Sequence, residues 1–181
     1  LLRLRSLDKN LKTSISSEIS FNNQKINEKF GLVFNNFFDN RFIYHSNKAE
    51  NNNDNYSQIR IFPQIGALIT YPLMKNNKNF SQILKPTLMP ILAPYNNYTE
   101  SLDVNNSNIF SRNRATSLYH WESGPRLNYG IEWFVDYKKK YDGGLILGQS
   151  IKFNKDDLDH SEEISDYMSS LFINLNENIY G

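Results

Sequence analysis

The sequence predicts an all-β fold of antiparallel, up-and-down strands, and two observations carry that prediction. Segment after segment places apolar residues at every second position, the period at which β side chains alternate between faces. Each segment is bounded by a polar connection, and Asn clusters such as Asn51-Asn52-Asn53 and Asn76-Asn77 mark several of them. The clearest strand is Gly124 to Tyr137, GPRLNYGIEWFVDY. Its odd positions run Pro125, Leu127, Tyr129, Ile131, Trp133, Val135, Tyr137, and its even positions Arg126, Asn128, Gly130, Glu132, Phe134, Asp136. Aromatic and β-branched residues suit a pleated surface, and the apolar row faces either a protein core or lipid.

Six further strands follow from the same reading. Leu1 to Asp8 has no clear period. From Leu11 to Phe21 the apolar residues Leu11, Ile15, Ile19 and Phe21 share the odd face, and Asn22 to Lys25 reads as a polar turn. Phe30, Leu32, Phe34, Phe38, Phe42 and Tyr44 make an even apolar face over a long strand, with a hairpin around Asp39-Asn40 as the rival reading. Ile59 to Leu73 alternates again, with Ile59, Ile61, Ile65, Ile69 and Tyr71 odd. The next strand, about Phe80 to Tyr95, carries Pro86, Pro90 and Pro94, and proline is expected only on an edge or at a bulge. Leu145, Leu147, Ile151 and Phe153 share a face in the sixth strand, and Tyr167, Leu171, Ile173 and Leu175 in the seventh.

The connections alternate in length: short at 22 to 26, 75 to 79 and 138 to 142, long at 46 to 56, 96 to 123 and 154 to 164. In an up-and-down sheet this puts tight turns at one end and long loops at the other, the asymmetry of outer-membrane barrels. Several strands also exceed the 9 to 11 residues that a tilted strand needs to cross hydrocarbon. The fold expected is therefore part of a transmembrane β-barrel, about seven strands of a larger one. Tyr71, Tyr95, Trp133 and Tyr137 fall where an aromatic girdle belongs.

Composition excludes several chemistries. With 20 Lys and Arg against 19 Asp and Glu, nothing draws the chain to nucleic acid. Cysteine is absent, so there is no thiol nucleophile, disulfide or Cys-zinc site in these residues. His45, His120 and His160 lie far apart and in no ligand spacing, and no nucleophile elbow or phosphate loop is present. No enzyme, cofactor or metal is expected. The acidic run Asp156 to Glu163 lacks the pattern of a calcium loop and reads as a solvated loop, as Lys138-Lys139-Lys140 reads as soluble turn sequence rather than a phospholipid contact.

The region from Asn108 to Phe153 carries a resemblance. Its elements are Asn108-Ile109-Phe110, Asn113-Arg114, then Glu122, Gly124, Arg126 and Asn128-Tyr129-Gly130 in the order E-x-G-x-R-x-N-Y-G, and finally Gly148-Gln149-Ser150. Arg60-Ile61-Phe62-Pro63, Tyr71-Pro72-Leu73 and Lys85-Pro86 add to it upstream. As an ordered set over about Ser57 to Tyr180, these resemble the C-terminal barrel of the LptD (OstA) lipopolysaccharide-assembly family, particularly its alphaproteobacterial versions. Ser101 to Asn106 departs from that family's acidic segment, and the cysteines found in some members are missing.

The resemblance implies that residues 1–181 are a fragment of a single outer-membrane barrel domain, lacking the periplasmic domain and the strands whose junction forms the lateral gate. It implies transport without covalent chemistry, in the outer membrane of a Gram-negative bacterium. Partners would be lipopolysaccharide, an LptE-type plug lipoprotein, periplasmic bridge proteins of the Lpt system and outer-membrane lipid. Arg126, Asn128, Glu132 and Asp136 would face a polar lumen, and Leu127, Tyr129, Ile131 and Trp133 would face lipid. A porin-like channel and a soluble β-sheet binding domain are the alternative readings.

Overall fold

The computed structural model describes residues 2–7, 10–48, 56–95, 104–115, 121–137, 141–153, 163–164 and 167–175. Among them the only regular structure is β: β1 (Leu2–Leu7), β2 (Asn10–Asn27), β3 (Leu32–Lys48), β4 (Tyr56–Thr70), β5 (Leu73–Asn76), β6 (Phe80–Leu92), β7 (Arg126–Tyr137), β8 (Tyr141–Lys152), β9 (Glu163–Ile164) and β10 (Met168–Leu175). They form one open antiparallel sheet in the order β1-β2-β3-β4-β6-β7-β8-β10, with β5 also on β6 and β9 on β8. This is the partial barrel wall expected. The seven expected strands correspond to β2, β3, β4 with β5, β6, β7, β8 and β10.

Three boundaries differ from the sequence reading. Leu2–Leu7 is a strand, paired with Asn10–Ile15, although its own residues show no period. Asn22 to Lys25 is not a turn but strand, paired with Phe37 back to Phe34 along an unbroken β2–β3 ladder. The chain reverses instead after Asn27, whose carbonyl accepts from Phe30 N (3.2 Å) and Gly31 N (2.7 Å). Gly31 takes φ 69° there, a left-handed conformation that glycine adopts without a Cβ penalty. Nor is there a hairpin at Asp39-Asn40: β3 runs through it, paired on both sides.

The two faces follow strict parity. The even residues of β2, β4, β7, β8 and β10 and the odd residues of β3 and β6 share one face, as the registers Asp39↔Gln64, Gly66↔Ile91 and Met89↔Asn128 require. The opposite, outer face carries exposed Ile59, Ile61, Ile65, Leu88, Leu92, Ile131, Trp133, Leu147, Leu171 and Ile173. The core lies on the first, inner face, in two clusters: Phe37, Met89 and Ile91 with Leu68 and Phe110, and Ile43, Phe62 and Trp121. Phe110 and Trp121 belong to the long connection between β6 and β7, whose residues 104–115 and 121–125 lie over the inner face.

Proline is carried inside the sheet, contrary to the edge position that its missing donor suggests. Each residue of an antiparallel strand turns its N–H and C=O toward one neighbour, and successive residues toward opposite neighbours. Pro86 O accepts from Tyr71 N at 3.0 Å, so Pro86, and by parity Pro90, direct their missing N–H toward β4 and β5. The β6–β7 ladder is consequently intact from Phe80↔Tyr137 to Ile91↔Arg126. Across the other seam, β4 and β6 pair only at Ile65, Gly66, Ile69 and Thr70, and pairing resumes at Leu73↔Leu84. Every lost donor of β6 falls on one seam.

As an isolated 181-residue chain, the open sheet presents unpaired strand edges and a continuous apolar face, both of which drive association. Aggregation is expected when the chain is prepared without detergent; a monodisperse monomer on size-exclusion chromatography under those conditions would contradict it.

Candidate functional site: an ion-paired loop on the inner face

The site is built where β7 begins. Arg126 and Asn128 point inward by parity and are buried, at 1% and 0% exposure, because the loop residues 104–115 and 121–125 lie over them. Glu122, also fully buried, sits between two guanidinium groups. Arg114 Nε donates to Glu122 Oε2 at 2.9 Å and Arg114 Nη2 donates to Oε1, a bidentate fork of the kind that matches guanidinium to carboxylate geometry. Arg126 Nε lies 3.4 Å from the same carboxylate.

Arg126 extends the network across the sheet. Its Nη2 donates to the Arg112 carbonyl and, at 3.4 Å, to Gln64 Oε1 on β4. Gln64 Nε2 donates to Asp39 Oδ2 at 2.9 Å, and Asp39 Oδ1 pairs with Arg112 Nη1 at 3.2 Å and accepts from Ser20 Oγ. Arg112 also donates to Asn22 Oδ1 and lies 4.4 Å over the Phe37 ring. Arg41, paired with Glu18 at 2.7 Å, lies 4.4 Å over the Trp121 ring. Buried charges persist only when paired and hydrogen-bonded, and this chain of bonds supplies that from β2 to β7.

Burial by itself raises the Glu122 pKa, but the hydrogen bonds from Arg114 and the charges of Arg126, Arg114 and Lys152 outweigh it, so Glu122 titrates below the usual carboxylate range. The pairing is ionic at neutral pH.

The motif residues read from the sequence converge here. Asn113 Oδ1 accepts from Glu122 N (2.8 Å) and Ala115 N (3.3 Å), holding the two arms of the loop together. Asn108 Oδ1 accepts from Asn105 N at 2.9 Å, shaping the turn that presents Ile109 and Phe110. Gly124, at φ 81°, donates to the Pro94 carbonyl at 3.1 Å and leads the chain into β7. Ser150 Oγ donates to Asn128 Oδ1 at 2.7 Å. Gly130 and Gly148 are direct partners across β7 and β8, and Ile109 packs on Gly148 from the inner side. Gln149 stands apart: it lies on the outer face, where its Oε1 accepts from Tyr129 OH.

Glu132 and Asp136 also sit on the inner face, beyond the loop. Glu132 pairs with Lys85 at 2.6 Å and Asp136 is exposed. Leu127, Tyr129, Ile131 and Trp133 occupy the outer face, Ile131 and Trp133 with 43% and 37% of their surface exposed. Sequence reasoning did not single out Asp39, Gln64, Arg112 or Trp121. Parity identifies the first two as polar residues on the inner face, whereas Arg112 and Trp121 lie in irregular chain with no period to read.

His45 holds Ser14 Oγ at 2.6 Å and Tyr56 OH at 3.2 Å, a polar contact between neighbouring strands. His120, His160, Lys138 to Lys140 and residues 156–162 of the acidic run lie outside the described residues. Among the described residues no cluster of three His, Asp or Glu could hold a metal.

A wall of long antiparallel strands, with exposed apolar residues on its outer face and an ion-paired loop packed on its inner face, is the build of a partial β-barrel. The particular family is shown by sequence: the model of LptD, described as LPS transport system D, matches residues 9–180. The chain belongs to that family, whose business is lipopolysaccharide transport and outer-membrane assembly rather than enzymatic chemistry. A search of curated proteins finds no match.

Proposed function

We propose that this chain forms part of the wall of a barrel that conducts lipopolysaccharide to the outer leaflet of the Gram-negative outer membrane. The observation that carries this reading is the in-folded loop: residues 104–115 and 121–125, fixed by Arg114, Glu122 and Arg126, cover the inner face at the long-loop end, and among the described residues none covers it toward the short-turn end. On this reading the lumen-facing set divides. Arg126 and Asn128 anchor the loop, while Glu132, Asp136 and Lys85 line the open path past which the saccharide moves. Leu127, Tyr129, Ile131 and Trp133 face lipid. On this reading an LptE-type lipoprotein plugs the barrel, and periplasmic bridge proteins deliver lipopolysaccharide to it.

The test is site-specific photo-crosslinking in the full-length protein in cells. A crosslinker at Glu132 or Asp136 is expected to capture lipopolysaccharide, and one at Arg126 to capture the protein's own loop. Capture of lipopolysaccharide from Ile61 and Ile65, with none from Glu132 and Asp136, would overturn the assignment of the faces.

A further inference from the structure

The outer face is not uniform. Where strand registers align Leu32, Tyr71, Pro86, Ile131, Leu147 and Ser169 in one row, and Ile69, Leu88, Tyr129, Gln149 and Tyr167 in the next, a groove crosses the strands. It encloses about 680 Å³, within the roughly 300–1,000 Å³ of clefts that hold small ligands. A second hollow of about 480 Å³ shares Ile131 and Leu147 with it and runs on toward the short-turn end through Leu73, Leu84 and Trp133 to Lys75.

Three features of the sequence make the groove. The compact ring of Pro86 and the small Ser169 leave room where larger residues flank them. The Tyr129 hydroxyl donates to Gln149 Oε1, which holds both side chains along the wall. The Gly130–Gly148 pair brings the β7 and β8 backbones close beneath it. Among the described residues no charged one lines the larger hollow, and the first cation met among them along the path is Lys75, exposed at the end of β5 beside the short turn.

From this arrangement we infer that the groove is a binding site for one phospholipid of the periplasmic leaflet, an acyl chain lying in the groove and the phosphate at Lys75. This rests on the reading that the outer face meets lipid. Six strands are crossed from β3 to β10, about 24 Å at roughly 4.8 Å per strand, which exceeds half of a hydrocarbon core about 30 Å thick. The groove is therefore long enough for a single chain. The leaflet follows from the cation. Short turns of outer-membrane barrels face the periplasm, and Lys75 lies at that end, where an ammonium attracts an anionic headgroup.

The test uses full-length protein in outer-membrane vesicles with two probes, phosphatidylglycerol and lipopolysaccharide, each carrying a photoreactive acyl chain. Labelling by phosphatidylglycerol is expected to concentrate in β6, β7 and β8 peptides. It should fall at least fivefold when the groove is filled by Leu88→Trp or Leu147→Trp, and about twofold in Lys75→Glu. Ile61→Trp, on the same face but off the groove, should leave it unchanged, and heat-dependent gel mobility reports that each variant is folded. Even labelling of all outer-face peptides, equal labelling by lipopolysaccharide, or labelling indifferent to both filling variants would overturn the site. Absence of lipid labelling anywhere on the outer face would instead overturn the reading on which it rests.

Discussion

Replacing Glu122 with alanine is expected to destabilise the folded chain by roughly 3–5 kcal/mol, the usual consequence of leaving a buried charge without its partner. Two charges lose their counter-ion here, because Arg114 and Arg126 both address this carboxylate and both are buried. The loop should undock, and protease cleavage within residues 104–125 of full-length protein in detergent should rise by at least tenfold. Replacing Arg114 and Glu122 together by methionine removes charge of both signs and should recover part of the loss; a double variant no more stable than Glu122→Ala would show that the pair itself is not what holds the loop. The pH dependence has a definite sign. A carboxylate with a lowered native pKa contributes stability that is complete above its ordinary value, about 4.3 for glutamate, and that disappears as pH falls through the lowered value. Loop protection should be flat from pH 7 to 5 and decline only below about 4.3, a decline that Glu122→Ala should not show.

The second large effect is expected at Gly130. A Cβ there would lie 2.2 Å from the Leu147 carbonyl oxygen and 2.8 Å from Gly148 Cα, and both are backbone atoms of the paired strand. They cannot rotate away, so the β7–β8 ladder itself must part. Gly130→Val should cost about 3 kcal/mol or more, at or above the upper range for overpacking, and should lower the urea midpoint of the detergent-solubilised protein accordingly. Gly148→Ala makes an instructive contrast. Its Cβ would meet the Ile109 side chain and the Tyr129 carbonyl oxygen, each at 3.2 Å, a crowding of a few tenths of an ångström rather than an overlap, so the loop should loosen while the ladder stays paired. If Gly130→Val and Gly148→Ala prove equally mild, the close strand approach is not as described.

Much of the sheet was legible because parity is a property of the sequence itself. In Gly124 to Tyr137, Arg126 and Asn128 fall on one face and Ile131 and Trp133 on the other whatever the partner strands do. Turn positions were less legible where both faces are polar: Asn22 to Lys25 reads as a turn, yet it is extended because β3 continues beside it and supplies its partners. The prolines of β6 misled for a related reason. Their cost depends on which neighbour loses the donor, and that is fixed by pairing direction, not by local sequence. Of the candidate site, the motif residues Asn113, Arg114 and Glu122 were visible as a set. Their chemistry was not, because Asp39 and Gln64 lie 73 and 62 residues along the chain from Arg112 and Arg126 and reach the site only once those two side chains are folded against them.

The proline-bearing seam also has a mechanical meaning. Strands joined side by side around a circumference carry load in series, and a widening force is taken up wherever the joint is weakest. Here that joint is between β4 and β6, so the wall behaves as two stiff panels meeting at a crease. The loop crosses it: Arg126 reaches from β7 to Gln64 on β4, Arg112 reaches on to Asp39, and Phe110 packs against the cluster that Phe37 forms with Met89 and Ile91. The same few side chains that close the inner face are therefore the brace on the crease, and neither can yield without the other.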